Sequence, residues 1–80
     1  MDPKNLLRRF SHMTEREASI VALVAEGLCN GDIGARLGIT ERTVKNTLTS
    51  VPLKMGVEAG GSARVRIALA AHGVGPYAGK

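Results

Sequence analysis

The sequence predicts an all-α fold, a small bundle of four helices, and three observations carry that prediction. Apolar residues recur at three- and four-residue spacing around 18–25, 33–37, 44–51 and 65–72, which gathers each set on one helix face. Thr14, Thr40 and Ser62 stand where helix caps belong, and Gly27, Gly38 and Gly73 stand where helices stop. With one Phe, one Tyr and no Trp, strands would lack the aromatic and β-branched alternation that a sheet needs.

Eighty residues make one domain at most, near the lower limit for a self-supporting core. The net charge is +4, and its distribution is uneven. Lys4, Arg8 and Arg9 outweigh Asp2 at the start; Glu15, Glu17, Glu26 and Asp32 outweigh Arg16 and Arg36 next. Arg42, Lys45 and Lys54 then outweigh Glu41, and Arg64, Arg66 and Lys80 outweigh Glu58. A negative scaffold followed by a positive segment suits a nucleic-acid binder. The single cysteine, Cys29, forms neither an internal disulfide nor a metal set, and small packing near a helix start is its expected role. No signal peptide or bilayer-length apolar run occurs, so a cytoplasmic protein with no membrane partner is expected.

Residues 1–12 read as an N-terminal arm or tag. Asp2-Pro3 could start a short amphipathic helix with Leu6, Leu7 and Phe10, but Ser11-His12-Met13 resembles a cloning remnant, and a tail is favoured. The domain proper is expected over 13–74. Its first helix starts with a capping box, Thr14-Glu15-Arg16-Glu17, carries Ile20, Val21, Leu23 and Val24 inward, and stops at Gly27. Asn30 can cap the second, which turns Ile33 and Leu37 inward and ends at Gly38. Gly31 and Gly34 each weaken it by about 1 kcal/mol relative to alanine, so packing must hold it, and Gly34 would allow close approach of a neighbouring helix.

Thr40 caps the third helix, which points Val44, Leu48 and Val51 inward. Pro52 is expected to kink or end it near Ser50. Ser62 caps a fourth helix through His72. Val65, Ala68, Leu69 and His72 fall at helical spacing there, with Ile67 and Ala71 on an adjoining stripe, more apolar surface than a terminal helix needs on a small core. Residues 75–80 are expected to be a flexible tail. A helix, a tight glycine turn and a second helix with Arg42, Lys45, Asn46 and Thr49 outside form a helix-turn-helix, whose second helix enters the major groove of DNA.

Thr14-Glu15-Arg16-Glu17, Val24-Ala25-Glu26-Gly27-Leu28, Asn30, 33–39, Thr40-Glu41-Arg42-Thr43-Val44-Lys45-Asn46 and Lys54-Met55-Gly56-Val57 resemble the DNA-binding domain of LuxR-type regulators. The resemblance is close over 13–57 and loose over 58–74. It implies a four-helix bundle, bacterial transcription control, double-stranded DNA as partner, and a homodimer through the last helix. It also implies base contacts from Lys45, Asn46 and Thr49 and phosphate contacts from Thr40, Arg42, Thr43 and Lys54. Val65, Ala68, Leu69 and His72 would then form the dimer interface, with RNA polymerase a further partner. Side-chain chemistry agrees: lysine donates to guanine, asparagine pairs with adenine, and threonine meets a thymine methyl or a hydrogen-bonding edge.

Four departures from the family pattern matter. Gly31 replaces a frequent lysine, Thr47 a usual histidine, and Pro52-Leu53 an apolar and a basic residue; a Glu58 and Gly-Gly loop replaces a shorter basic connection. They predict weaker binding than in typical members and keep alternatives open: a partner-binding module on the same fold that has lost DNA binding, or a sigma-factor region-four helix-turn-helix. The Lys54-Met55-Gly56-Val57 ending argues against the latter. No nucleophile, base and orienter assemble, so an enzyme is not expected, nor a cofactor, a metal or a small-molecule ligand.

Overall fold

The computed structural model describes residues 1–74; the expected tail at 75–80 lies outside the described residues. All regular structure among them is helical, in five elements: α1 (Pro3–Arg9), α2 (Glu15–Ala25), α3 (Asn30–Leu37), α4 (Glu41–Met55) and α5 (Ala63–His72). α2 is the hub, packed on α1, α4 and α5, while α3 leans chiefly on α4.

The capping box at Thr14 forms as expected: Thr14 Oγ1 accepts the Glu17 amide at 3.1 Å, and Glu17 Oε1 accepts the Thr14 amide at 2.7 Å. Ala18, Ile20, Val21, Ala22 and Val24 then bury along α2 and meet Ile33, Val44, Val51, Met55 and Ile67 in one core. Fully burying each aliphatic side chain contributes about 1.5–3 kcal/mol, which is how a chain with so few aromatics holds together.

The turn between α3 and α4 closes on two glycines. Gly38 takes φ +71°, a left-handed conformation that side chains disfavour. At Gly34 a Cβ would lie 2.7 Å from the Ile39 carbonyl oxygen, so only glycine lets the turn fold back onto α3. The close approach expected at Gly34 is therefore with the turn itself. Thr40 Oγ1 accepts the Thr43 amide at 3.1 Å and starts α4, as its sequence position predicts.

Several expectations are corrected. Residues 3–9 are a helix, not a tail: Asp2 caps it through the Lys4 amide at 2.9 Å, Leu6 is fully buried, and Phe10 is buried too. Arg9 secures it by donating to the Ala71 and Ala70 carbonyls at 2.6 and 2.5 Å, which are terminal acceptors of α5. The bundle thus has one helix more than the four expected.

Asn30 does not cap α3. Cys29 occupies that position without a side-chain hydrogen bond, and it is exposed rather than packed. Asn30 Oδ1 instead accepts from Arg64 Nη1 at 2.6 Å, and Arg64 Nη2 donates to the Leu28 carbonyl. A guanidinium from α5 therefore satisfies the α2–α3 loop. Ser62 precedes α5 but likewise makes no side-chain cap.

α4 neither ends near Ser50 nor stops at Pro52; it continues to Met55. A helix-interior proline costs about 3 kcal/mol, but Val51, Pro52 and Met55 are all buried, and packing of that last turn offsets the lost hydrogen bond.

Candidate nucleic-acid interface

α4 presents Arg42, Thr43, Lys45, Asn46, Thr49, Ser50 and Leu53 to solvent while Val44 and Val51 anchor its opposite side. At 3.6 residues per turn, positions 42, 45, 46 and 49 share one face, so the four outward residues expected from the sequence do lie together. Arg42, Lys45 and Asn46 have no hydrogen-bond or ion-pair partner among the described residues. With Asn30 and Glu41 they line a shallow groove of about 450 Å³.

The hydroxyl groups of this face behave differently. Thr40 Oγ1 and Thr43 Oγ1 lie 2.9 Å apart in a hydrogen bond at the helix start that either hydroxyl can donate. Thr47, Thr49 and Ser50 donate back to the carbonyls of Thr43, Lys45 and Thr47 at 2.9, 3.0 and 3.0 Å. Donating capacity on the exposed face is therefore concentrated in Arg42, Lys45 and Asn46.

Lys54 departs from the other basic residues of this segment. Its ammonium donates to Glu17 Oε2 at 2.8 Å and Oε1 at 3.0 Å, and it is half-buried. Burial pushes the Glu17 carboxyl up, but the Lys54 hydrogen bonds and charge, with the Thr14 amide and hydroxyl, outweigh it and hold the carboxyl below its ordinary value. To meet a phosphate, Lys54 would have to abandon a carboxylate that would itself repel the strand. Lys54 therefore serves the fold in this structure.

Two features escaped the sequence reading. Glu41 enters the groove at the first turn of α4, where a negative charge favours the helix dipole. It also sits where a side chain at position 31 would project, since a Cβ on Gly31 would lie 3.0 Å from Glu41 Oε1. Leu53 is 89% exposed, a position hidden from sequence reasoning by the expected break at Pro52.

On α5 the two apolar stripes separate. Ile67, Ala70 and Ala71 are buried, whereas Val65 and Leu69 remain 56% and 37% exposed and Ala68 is half-buried. His72 Nε2 lies 2.9 Å from the Ala25 carbonyl oxygen, so its ring is engaged by the end of α2. No group of three or more metal-ligand side chains occurs among the described residues, and no helix there is long and apolar enough to cross a membrane.

LiaR of Bacillus subtilis, a transcriptional regulatory protein, is 42% identical over 60 residues, covering 75% of this chain and 26% of LiaR. DevR/DosR of Mycobacterium tuberculosis, a DNA-binding transcriptional activator, is 38% identical over 48 residues, covering 60% and 22%. Rv0890c of the same species, provisionally named an HTH-type transcriptional regulator, is 43% identical over 54 residues, covering 68% and 6%. The chain thus spans about a quarter or less of the length of these relatives. No solved structure gives a significant match. The profile of bacterial regulatory proteins of the luxR family matches residues 11–65. That stretch takes in α2, α3, α4 and the groove, so this helix-turn-helix chain belongs to the luxR family of bacterial regulatory proteins.

Proposed function

We propose that this domain binds double-stranded DNA sequence-specifically, with α4 in the major groove, as the output domain of a transcription regulator. One observation carries the reading: Arg42, Lys45 and Asn46 stand together, exposed and unpaired among the described residues, on a helix whose other side is fixed in the core. The helix that carries them is already fixed and they give up no internal partner on binding, so the cost left is the ordering of each long side chain, about 0.5–1.5 kcal/mol. Lys45, Asn46 and Thr49 are assigned to base edges, and Thr40, Arg42 and Thr43 to phosphates. The family membership and the DNA-binding name of DevR/DosR support the DNA-binding reading.

We further propose a homodimer through Val65, Ala68 and Leu69 of α5, reading half-sites about one DNA turn apart. His72 is left out of that interface because the Ala25 carbonyl engages it. RNA polymerase is proposed as a further partner.

A salt titration on duplex DNA tests the reading. Affinity should fall steeply and linearly in log–log form as salt rises, because protein cations displace counterions from phosphate. No binding even at low salt would instead make this a partner-binding module. Lys45→Ala should cost about 1–3 kcal/mol on a preferred duplex and relax one base position. An equal loss on every sequence would reassign Lys45 to phosphate.

A further inference from the structure

α4 divides into two chemically different ends. Its first two turns carry Arg42, Lys45 and Asn46, whose donors are free among the described residues. Beyond Asn46 the donors disappear: the Thr47, Thr49 and Ser50 hydroxyls each donate to a carbonyl of α4 itself. A threonine bound this way can still accept, but it cannot donate to the carbonyl or ring-nitrogen acceptors of guanine or to thymine O4. What Thr49 offers outward is mainly its methyl group.

Leu53 continues that surface. Because α4 runs unbroken through Pro52, residues 42, 46, 49 and 53 recur at i, i+4, i+7 and i+11, within about 60° of one another around the axis. Leu53 is 89% exposed, the most exposed large hydrophobic side chain among the described residues. It lies about 6 Å beyond Thr49 along the helix, given 1.5 Å of rise per residue. A buried Pro52 beside a largely exposed Leu53 shows that the core fixes the phase of this turn and turns the leucine outward.

We propose that Thr49 and Leu53 form a methyl-reading end of the recognition face, taking thymine 5-methyl groups in the major groove. The 5-methyl is the apolar group a base pair displays there, and it separates thymine from cytosine and from uracil. This rests on the DNA-binding reading above and adds a specificity-determining residue to it. The preferred half-site then has a donor-read end facing Lys45 and Asn46 and a thymine-bearing end facing Thr49 and Leu53. A protein partner on Leu53 is disfavoured, since it would have to cover the face that carries Arg42 and Asn46.

The test begins with duplexes enriched by the 80-residue chain from a randomised pool, followed by replacement of each thymine with deoxyuridine. Fluorescence anisotropy should show one or two positions where loss of the methyl weakens binding about fourfold, the worth of one buried methyl group. Leu53→Ala should weaken the parent duplex by a similar factor and abolish sensitivity at one of those positions, whereas Leu53→Met should retain it. Thermal melting of Leu53→Ala should match the parent, as the side chain is almost entirely exposed among the described residues. Enrichment with uniform indifference to deoxyuridine, or sensitivity unchanged in Leu53→Ala, overturns this assignment alone. Failure to enrich any duplex overturns the DNA-binding reading, and this assignment with it.

Discussion

Lys54, in the last turn of α4, donates to both carboxylate oxygens of Glu17, in the first turn of α2, at 2.8 and 3.0 Å. The same carboxylate closes the α2 capping box by accepting the Thr14 amide at 2.7 Å. Glu17 is the one charged residue among those described that is buried, and it satisfies the start of α2 while fixing the end of α4. The far end of α4 is therefore bolted to the hub of the core.

Replacing Lys54 with Met keeps the aliphatic stem and removes the charge. It should destabilise the domain by about 1–2 kcal/mol, because Glu17 keeps its burial and loses its strongest partner; the partial exposure of Lys54 limits the loss. Urea denaturation measures this. Unchanged stability together with weaker DNA binding would return Lys54 to the phosphate backbone.

Acid should act through the same carboxylate. Its folded-state pKa lies below the ordinary value of 4.5, so it contributes stability above that value and loses it as pH falls through the lower, folded pKa. Stability measured from pH 6 downward should therefore drop below about pH 4.5, and Lys54→Met should flatten that drop. A parallel pH dependence in parent and variant would show that other carboxylates govern acid sensitivity.

Leu6 provides a direct measure of what α1 contributes. Leu6 is fully buried against the core, so Leu6→Ala should cost about 2–5 kcal/mol. Arg9→Ala should add a smaller loss by removing the guanidinium donors to the Ala70 and Ala71 carbonyls. Were residues 3–9 only an arm on the surface, neither change would move the thermal midpoint.

The helix-turn-helix was legible in the sequence because its signals are local. Thr14 and Glu17 lie three residues apart, Thr40 abuts α4, and the phase of Arg42, Lys45, Asn46 and Thr49 spans two turns of one helix. What escaped is held by distant partners. α1 is seven residues long and is fixed by carbonyls about sixty residues away. Asn30 looks like a cap until Arg64, 34 positions on, takes its oxygen. Pro52 reads as a break because its penalty is local, while the burial that offsets it comes from the whole core. The same misreading concealed Leu53, whose register has meaning only if α4 continues past residue 52.

The exposed stripe of α5 gives the prediction for assembly. Val65 and Leu69 lie outside the core while Ile67, Ala70 and Ala71 complete it, so the outer stripe can change without unfolding the domain. Leu69→Arg places a charge at the centre of the proposed dimer contact, where burying it unpaired costs several kcal/mol. Light scattering should then give the mass of one chain where the parent gives two, with both circular dichroism spectra alike. The monomeric variant should still bind a half-site but lose the affinity that two linked half-sites provide, a loss that grows with the effective concentration one subunit confers on the other. An unchanged mass would remove α5 from the interface and leave each domain reading DNA alone.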